Sequence, residues 1–296
     1  MLAICLHRKL QTKDYCLPAM LAFCDVWHGV GMLTGGSRRL VLILLNQHYD
    51  LVSSWYCAWT TPMLPWTVAN YASNAMLLLI SIDRCIACYN PLAYTKITAS
   101  ILIKVAIGVF SAAVALTAAM YVEIYILNPT QLHPKLCYHA IAFSAGFFQF
   151  HLQYQVVTGI LSVIIYMLAL AFLYCKNTGV VSDLMKKNRD RQMRVTKMLL
   201  LVVLCTFVLQ SVPMLIRSAA YDLKLKILPI LNPFIVVVVY LNYTNNVFIY
   251  IVKNKDIRYS IFSILCCRNP NKTTVMPLQS GNTKTCNKTI SNAQTE

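Results

Sequence analysis

The chain has 296 residues, 58% of them hydrophobic and 12% charged, with a mean hydropathy of +0.58. A soluble domain carries about 25% charged residues, so this balance excludes a large water-soluble core and predicts an all-α integral membrane helical bundle. The formal net charge of +16 does not point to nucleic acid, because the basic residues collect in alternate connections between apolar stretches.

The first residues, Met1 to Cys5, are apolar but too short to span a bilayer, which takes about 20 residues. His7, Arg8 and Lys9 follow them, the reverse of a signal-peptide layout. Apolar windows of spanning length follow at 16–43, 57–82, 99–127, 141–175, 198–219 and 227–252, which makes 16–252 the bundle. Basic clusters at 7–13, 185–197 and 252–258, with Lys96 and the tail, place 7–13, 84–98, 176–197 and 253–296 in the cytoplasm. Arg38, Arg39, Lys135, Arg217, Lys224 and Lys226 fall on the outer side.

Several polar residues interrupt the spans, where each costs free energy unless it faces protein or a wet cavity. Asp25 lies in the first span, Asn70, Ser73 and Asn74 in the second, and Asn242, Asn245 and Asn246 in the last. Packing polar groups are one reading. Taken jointly, a carboxylate, a hydroxyl and carboxamide oxygens suit a site for a small hard cation or a proton. Pro213 removes a mid-span backbone hydrogen bond and predicts a kink. Most of the twelve cysteines lie in apolar spans as small hydrophobes. Cys57 and Cys137 sit at outer boundaries and are a candidate disulfide pair. Residues 253–267 read as an amphipathic juxtamembrane helix at the membrane surface. It ends in Cys266 and Cys267, which suit either reversible palmitoylation or unmodified thiols. Residues 268–296 are polar and rich in Asn, Thr and Ser, the composition of a disordered cytoplasmic tail. The Asn271 and Asn287 sequons therefore face the cytosol and stay unglycosylated.

From about residue 6 to 267 the chain resembles the rhodopsin-like (class A) G-protein-coupled receptors, in the divergent manner of invertebrate orphan or chemosensory receptors. The most specific element is "SIDRCIACYNPLAY" (81–94). Its Asp83-Arg84-Cys85 looks like the family's Asp-Arg-Tyr, and Pro91, Leu92 and Tyr94 follow at the family spacing. "LAFCD" (21–25) resembles the second-helix motif around Asp25. Phe207 and Pro213 match the sixth-helix motif, Tyr166 the fifth-helix tyrosine, and Asn246 and Tyr250 the Asn-Pro-x-x-Tyr motif with Val247 in place of Pro. Cys57 and Cys137 resemble the disulfide to the second outer loop, with Cys57 two residues early. Departures are Ser211 for the sixth-helix Trp, Thr158 for the fifth-helix Pro, no Trp in the fourth helix, and a missing first helix. Residues 1–15 then read as the remnant of that helix and the first inner loop. About six full spans of a seven-transmembrane fold are present, as in a truncated gene model or a non-signalling receptor product.

The resemblance implies a plasma-membrane receptor that passes an extracellular signal to a heterotrimeric G protein, with arrestin-like regulators as further partners. It makes Asp83, Arg84, Pro91, Leu92, Tyr166 and Tyr250 the switch, with Asp83–Arg84 as the sole resting ion pair. Asp25, Ser73, Asn242 and Asn246 become a polar core able to hold an allosteric sodium ion. Trp66, Asn70, Met214, Arg217 and Tyr240 would line the ligand pocket. Trp66 stands where amine receptors carry an aspartate, which disfavours an amine, and Tyr240 stands where opsins carry the retinal lysine. A neuropeptide or a small chemosensory molecule both fit. No metal-spaced His cluster, phosphate loop or nucleophile elbow appears, so no enzyme is predicted. A polytopic transporter or channel is the rival, with Asp25 and the polar last span on an ion path.

Overall fold

The computed structural model describes residues 13–60, 63–127, 130–137, 143–175, 183–223, 228–253 and 258. Residues 1–12, the juxtamembrane segment after Lys253 (Arg258 apart), Cys266, Cys267 and the tail lie outside them, as does the side chain of Tyr250. In chain order the elements are α1 (Lys13–Leu44), β1 (Leu51–Ser53), α2 (Ser54–Thr60), α3 (Met63–Tyr89), α4 (Pro91–Lys96) and α5 (Ala99–Leu127). They continue with β2 (Leu132–Pro134), α6 (Ala145–Cys175), α7 (Asp183–Thr206), a π-helical turn (Phe207–Ser211), α8 (Val212–Asp222) and α9 (Leu228–Lys253). Among these residues six helical stretches are long and apolar enough to cross a membrane: α1, α3, α5, α6, the continuous α7–α8 rod, and α9.

α3 is the axis of the bundle. It packs against α6, α1 and α5, and 67% of its most apolar window is buried against 22% for α5. α5 is the more apolar of the two, so burial does not follow hydropathy: the exposed Ile103, Ile107, Val122 and Ile126 of α5 suit lipid rather than water. An inner core joins Leu17, Leu21, Met76, Ile80, Tyr166 and Leu199, and an outer one joins Met120, Ile124, Phe148, Leu152, Met214 and Val239.

One expectation is corrected. The window at 57–82 is two helices, α2 and α3, and α3 runs on past the charges to Tyr89. Asp83 and Arg84, expected at the inner end of the helix, are buried in its last turns. The expected kink at Pro213 is preceded by the π turn: Pro213 has no N–H for the Leu209 carbonyl, and the helix widens over Phe207–Ser211. Gly159 of α6 makes room for this turn, because a Cβ there would come within 2.8 Å of Ser211 Cβ and collide with its hydroxyl.

The outer end is tied by several short links. β1 pairs antiparallel with β2, and Cys57 on α2 is disulfide-bonded to Cys137, with Cα atoms 5.3 Å apart. Arg39 of α1 donates to the carbonyls of Leu136 and Cys137 at 3.2 Å each. Lys135 Nζ meets Gln47 at 2.9 Å and Asp50 at 3.4 Å.

Candidate functional site

At the inner end, Arg84 is only 1% exposed, so its guanidinium must find its partners within the protein. Asp83 Oδ2 accepts from Arg84 Nε at 2.9 Å and from Nη2 at 2.5 Å. Nη2 also donates to the Tyr94 hydroxyl at 2.8 Å and lies 3.7 Å from Asp14 Oδ1. The expected lock of Asp83 and Arg84 alone is therefore corrected: a second carboxylate comes from the first turn of α1, and a phenol from α4. Burial pushes the Tyr94 phenol up, which keeps it a neutral hydroxyl.

α4 is placed for this role by its own sequence. Asn90 caps it, accepting from the Ala93 N–H at 3.0 Å, and Pro91 occupies the first helical position. Lys13 Nζ donates to the Tyr94 carbonyl at 2.6 Å and sits 3.9 Å over its ring. Tyr94 thus faces inward while Pro91 and Leu92 are exposed, Leu92 at 73%. Tyr166 of α6 donates to the Thr196 carbonyl, which fastens α7 at the same level. Arg194 and Lys197 are exposed nearby.

Mid-bundle, Asp25 accepts from Asn246 Nδ2 at 3.2 Å and from Ser73 Oγ at 3.5 Å. Asn242 does not join Asp25 directly: its Nδ2 donates to Gln210 Oε1 at 3.0 Å. Gln210 Nε2 donates in turn to Asn74 Oδ1 at 3.2 Å, and Asn74 Nδ2 to Asn70 Oδ1 at 2.9 Å. Asn70, expected to line the ligand pocket, is here the end of an amide chain that crosses from α3 through the π turn to α9. A narrow cleft lined by Ser73, Asn74, Thr206, Gln210, Asn242 and Asn246 lies along it. Among the described residues the Oδ1 atoms of Asn242 and Asn246 are buried without a hydrogen-bond donor. With the Asp25 carboxylate and the Ser73 hydroxyl they fit the oxygen donor set of a small hard cation. No cluster of three His, Cys, Asp or Glu suited to a transition metal occurs among the described residues.

Toward the outside, His28 stands one turn beyond Asp25 on α1. Its ring stacks on Tyr243 at 3.8 Å between centroids and lies 5.3 Å from Trp66. Trp66 lies 5.9 Å from His151, which contacts Gln155 at 2.7 Å and the Tyr71 ring at 5.3 Å. Gly31 admits Trp66, whose Cβ would lie 3.3 Å from an added methyl. Met214 is buried on α8, and Arg217, half-buried one turn on, holds its guanidinium carbon 5.0 Å over the Phe148 ring. Tyr240 of α9 is close enough to Arg217 to interact with it electrostatically.

Sequence reasoning missed Asp14, Gln210, His28, His151 and Gln155. Gln210, His28, His151 and Gln155 are polar residues within otherwise apolar helical stretches, the same signal that singled out Asp25, whereas Asp14, beside the basic stretch 7–13, carries no such signal. A family model described as "Serpentine type 7TM GPCR chemoreceptor Srsx" matches residues 1–265. Among curated proteins, none matches this chain.

Proposed function

Because the chain belongs to the Srsx family of serpentine seven-transmembrane G-protein-coupled chemoreceptors, we propose that it binds a small chemosensory molecule from outside the plasma membrane and activates a heterotrimeric G protein. The observation that carries this reading is Arg84, buried at the inner end between two carboxylates and a phenol from three different elements. A buried cation so held is a latch, because releasing it requires several elements to part.

In the resting state the Asp83–Arg84–Asp14–Tyr94 cluster joins α3, α1 and α4. Ligand in the outer half favours a state in which the α7–α8 rod rearranges about its π turn and the inner end of α7 leaves Tyr166. That movement opens a groove beside Arg84 for a helix of the G protein, with the exposed Leu92 and Pro91 at its rim. Arrestin-like regulators would meet the same face. A sodium ion at Asp25, Ser73, Asn242 and Asn246 would hold the resting arrangement. Ligand and G protein stabilise one state, so each tightens binding of the other.

The test uses the full chain in lipid nanodiscs with purified G protein, comparing wild type and Arg84→Ala for nucleotide exchange over a library of volatile and water-soluble small molecules. Exchange in the wild type and its loss in a folded Arg84→Ala protein are expected. Normal exchange in the variant overturns the latch. Ligand-gated ion flux without exchange would instead establish the transporter or channel reading.

A further inference from the structure

We infer that the outer half of the bundle takes small organic anions, and that Arg217 is the residue that binds their carboxylate; this rests on the receptor reading and specifies its ligand. The acidic residues lie or are engaged elsewhere. The chain has ten. Asp14 and Asp83 are engaged with Arg84 at the inner end, and Asp25 with Ser73 and Asn246 mid-bundle. On the outer side Asp50 pairs with Lys135, Glu123 accepts from Ser144, and Asp222 accepts from Gln149 at 2.9 Å. Asp183 and Asp190 lie at the inner start of α7, and Asp256 and Glu296 follow α9. The outer connections outside the described residues, 61–62, 128–129, 138–142 and 224–227, contain no Asp or Glu.

Arg217 therefore has no carboxylate within ion-pair distance among the described residues, and the outer connections offer none. Nor does any described residue accept a hydrogen bond from it. Its surroundings point it into the bundle rather than toward lipid headgroups: Phe148 beneath it is 3% exposed, and it interacts electrostatically with His151 and Tyr240. The contact with Phe148, 5.0 Å from the guanidinium carbon to the ring centroid, supplies no hydrogen-bond acceptor for the guanidinium N–H groups. A guanidinium matches a carboxylate with two parallel hydrogen bonds. A half-buried cation without a counter-charge is costly, and a bound anion removes that cost. The buried Met214, one turn before Arg217 on α8, offers apolar contact for the body of the acid. An amine would find the opposite of what it needs.

The experiment melts the full chain in nanodiscs with short-chain and phenyl-substituted carboxylic acids, and with the alcohol and the amine of each carbon skeleton. The expected result is that carboxylic acids raise the melting temperature and their alcohols and amines do not. Arg217→Gln then weakens the best acid by about 10- to 100-fold, the range of a charge-assisted hydrogen bond, and Arg217→Lys weakens it less. If Arg217→Gln does not melt cooperatively, Arg217→Lys decides alone: equal affinity for the acid overturns the inference. It is also overturned if no acid stabilises the wild type, if an acid stabilises Arg217→Gln equally, or if the amines stabilise more. Nucleotide exchange is read separately. Acids that stabilise the protein when no compound of any class drives exchange uphold the anion site and sink the receptor reading. Exchange driven by neutral compounds alone does the reverse.

Discussion

Neutralising Asp14 separates the lock seen here from one made by Asp83 alone. Asp14 Oδ1 lies 3.7 Å from Arg84 Nη2, with Asp14 6% exposed. At an effective dielectric of about 20 that separation corresponds to a gross attraction of about 4 kcal/mol. The net value is smaller, because Asp14 is desolvated to reach the site and Arg84 retains both bonds to Asp83. A net loss of about 1 kcal/mol from the resting state is the reasonable expectation, which shifts the resting-to-active ratio about fivefold. Asp14→Asn should therefore raise ligand-free nucleotide exchange about fivefold in purified receptor with G protein. Asp83→Asn, which removes two direct bonds, should raise it further. The double variant should fall short of the product of the two, since both act on one guanidinium. Unchanged basal exchange in Asp14→Asn, alongside a rise in Asp83→Asn, would refute a latch that includes α1.

Three further outcomes follow from the packing. Gly159→Ala should lower the melting temperature through an overpacking cost of about 1–3 kcal/mol, and Ser211→Gly should restore it because Ser211 is the atom group in the way; no restoration would place the strain elsewhere. Gln210→Leu should destabilise the protein by about 1–3 kcal/mol, since it leaves Asn74 Oδ1 and Asn242 Nδ2 without each other's bridge; a melting curve equal to wild type would mean the amide chain is dispensable. Sodium should lower basal exchange in the wild type and have no effect on Asp25→Asn, with potassium as the ionic-strength control; equal sodium sensitivity of both proteins would remove Asp25 from the cation site.

The spans were legible because lipid demands long apolar helices, and hydropathy detects them without knowing their neighbours. Three features were not legible: two depend on contacts far apart in sequence, and the third is a helix boundary inside an apolar stretch. Asp14 reads as a loop residue beside a basic cluster, and only folding brings it to Arg84, 70 positions later. Gln210 sits unremarked in "FVLQSVP" until the π turn directs it toward Asn74 and Asn242. The break between α2 and α3 is invisible to a window average, because both sides of it are apolar. The polar positions flagged along the spans, Asn245 apart, do fall into hydrogen-bonded groups. Their pairing differs from the expected one: Asn246 meets Asp25, whereas Asn242 and Asn70 belong to the chain through Gln210.

That pairing gives the bundle a mechanical connection. Arg217 and Gln210 lie on one continuous rod, seven residues apart, with the π turn at the Gln210 end. A helix that already holds a widened turn can return to regular α geometry by sliding one residue, which changes the direction of every side chain on the moving side of it. Gln210 lies within that turn, so any such change must break its bonds to Asn74 and Asn242 together, and its cost is concentrated at one residue. Buried amide bonds of this kind are worth little net when made and cost about 1–3 kcal/mol when left unsatisfied. The rod therefore favours discrete arrangements over a continuum. An anion that drew Arg217 inward, as proposed, would act on the same rod, and Tyr166 and Thr196 fasten its inner end. On the proposed mechanism, the outer site and the Arg84 latch would be joined by one helix with a single weak turn, and the amide chain would set how much differential binding a ligand must supply to move it.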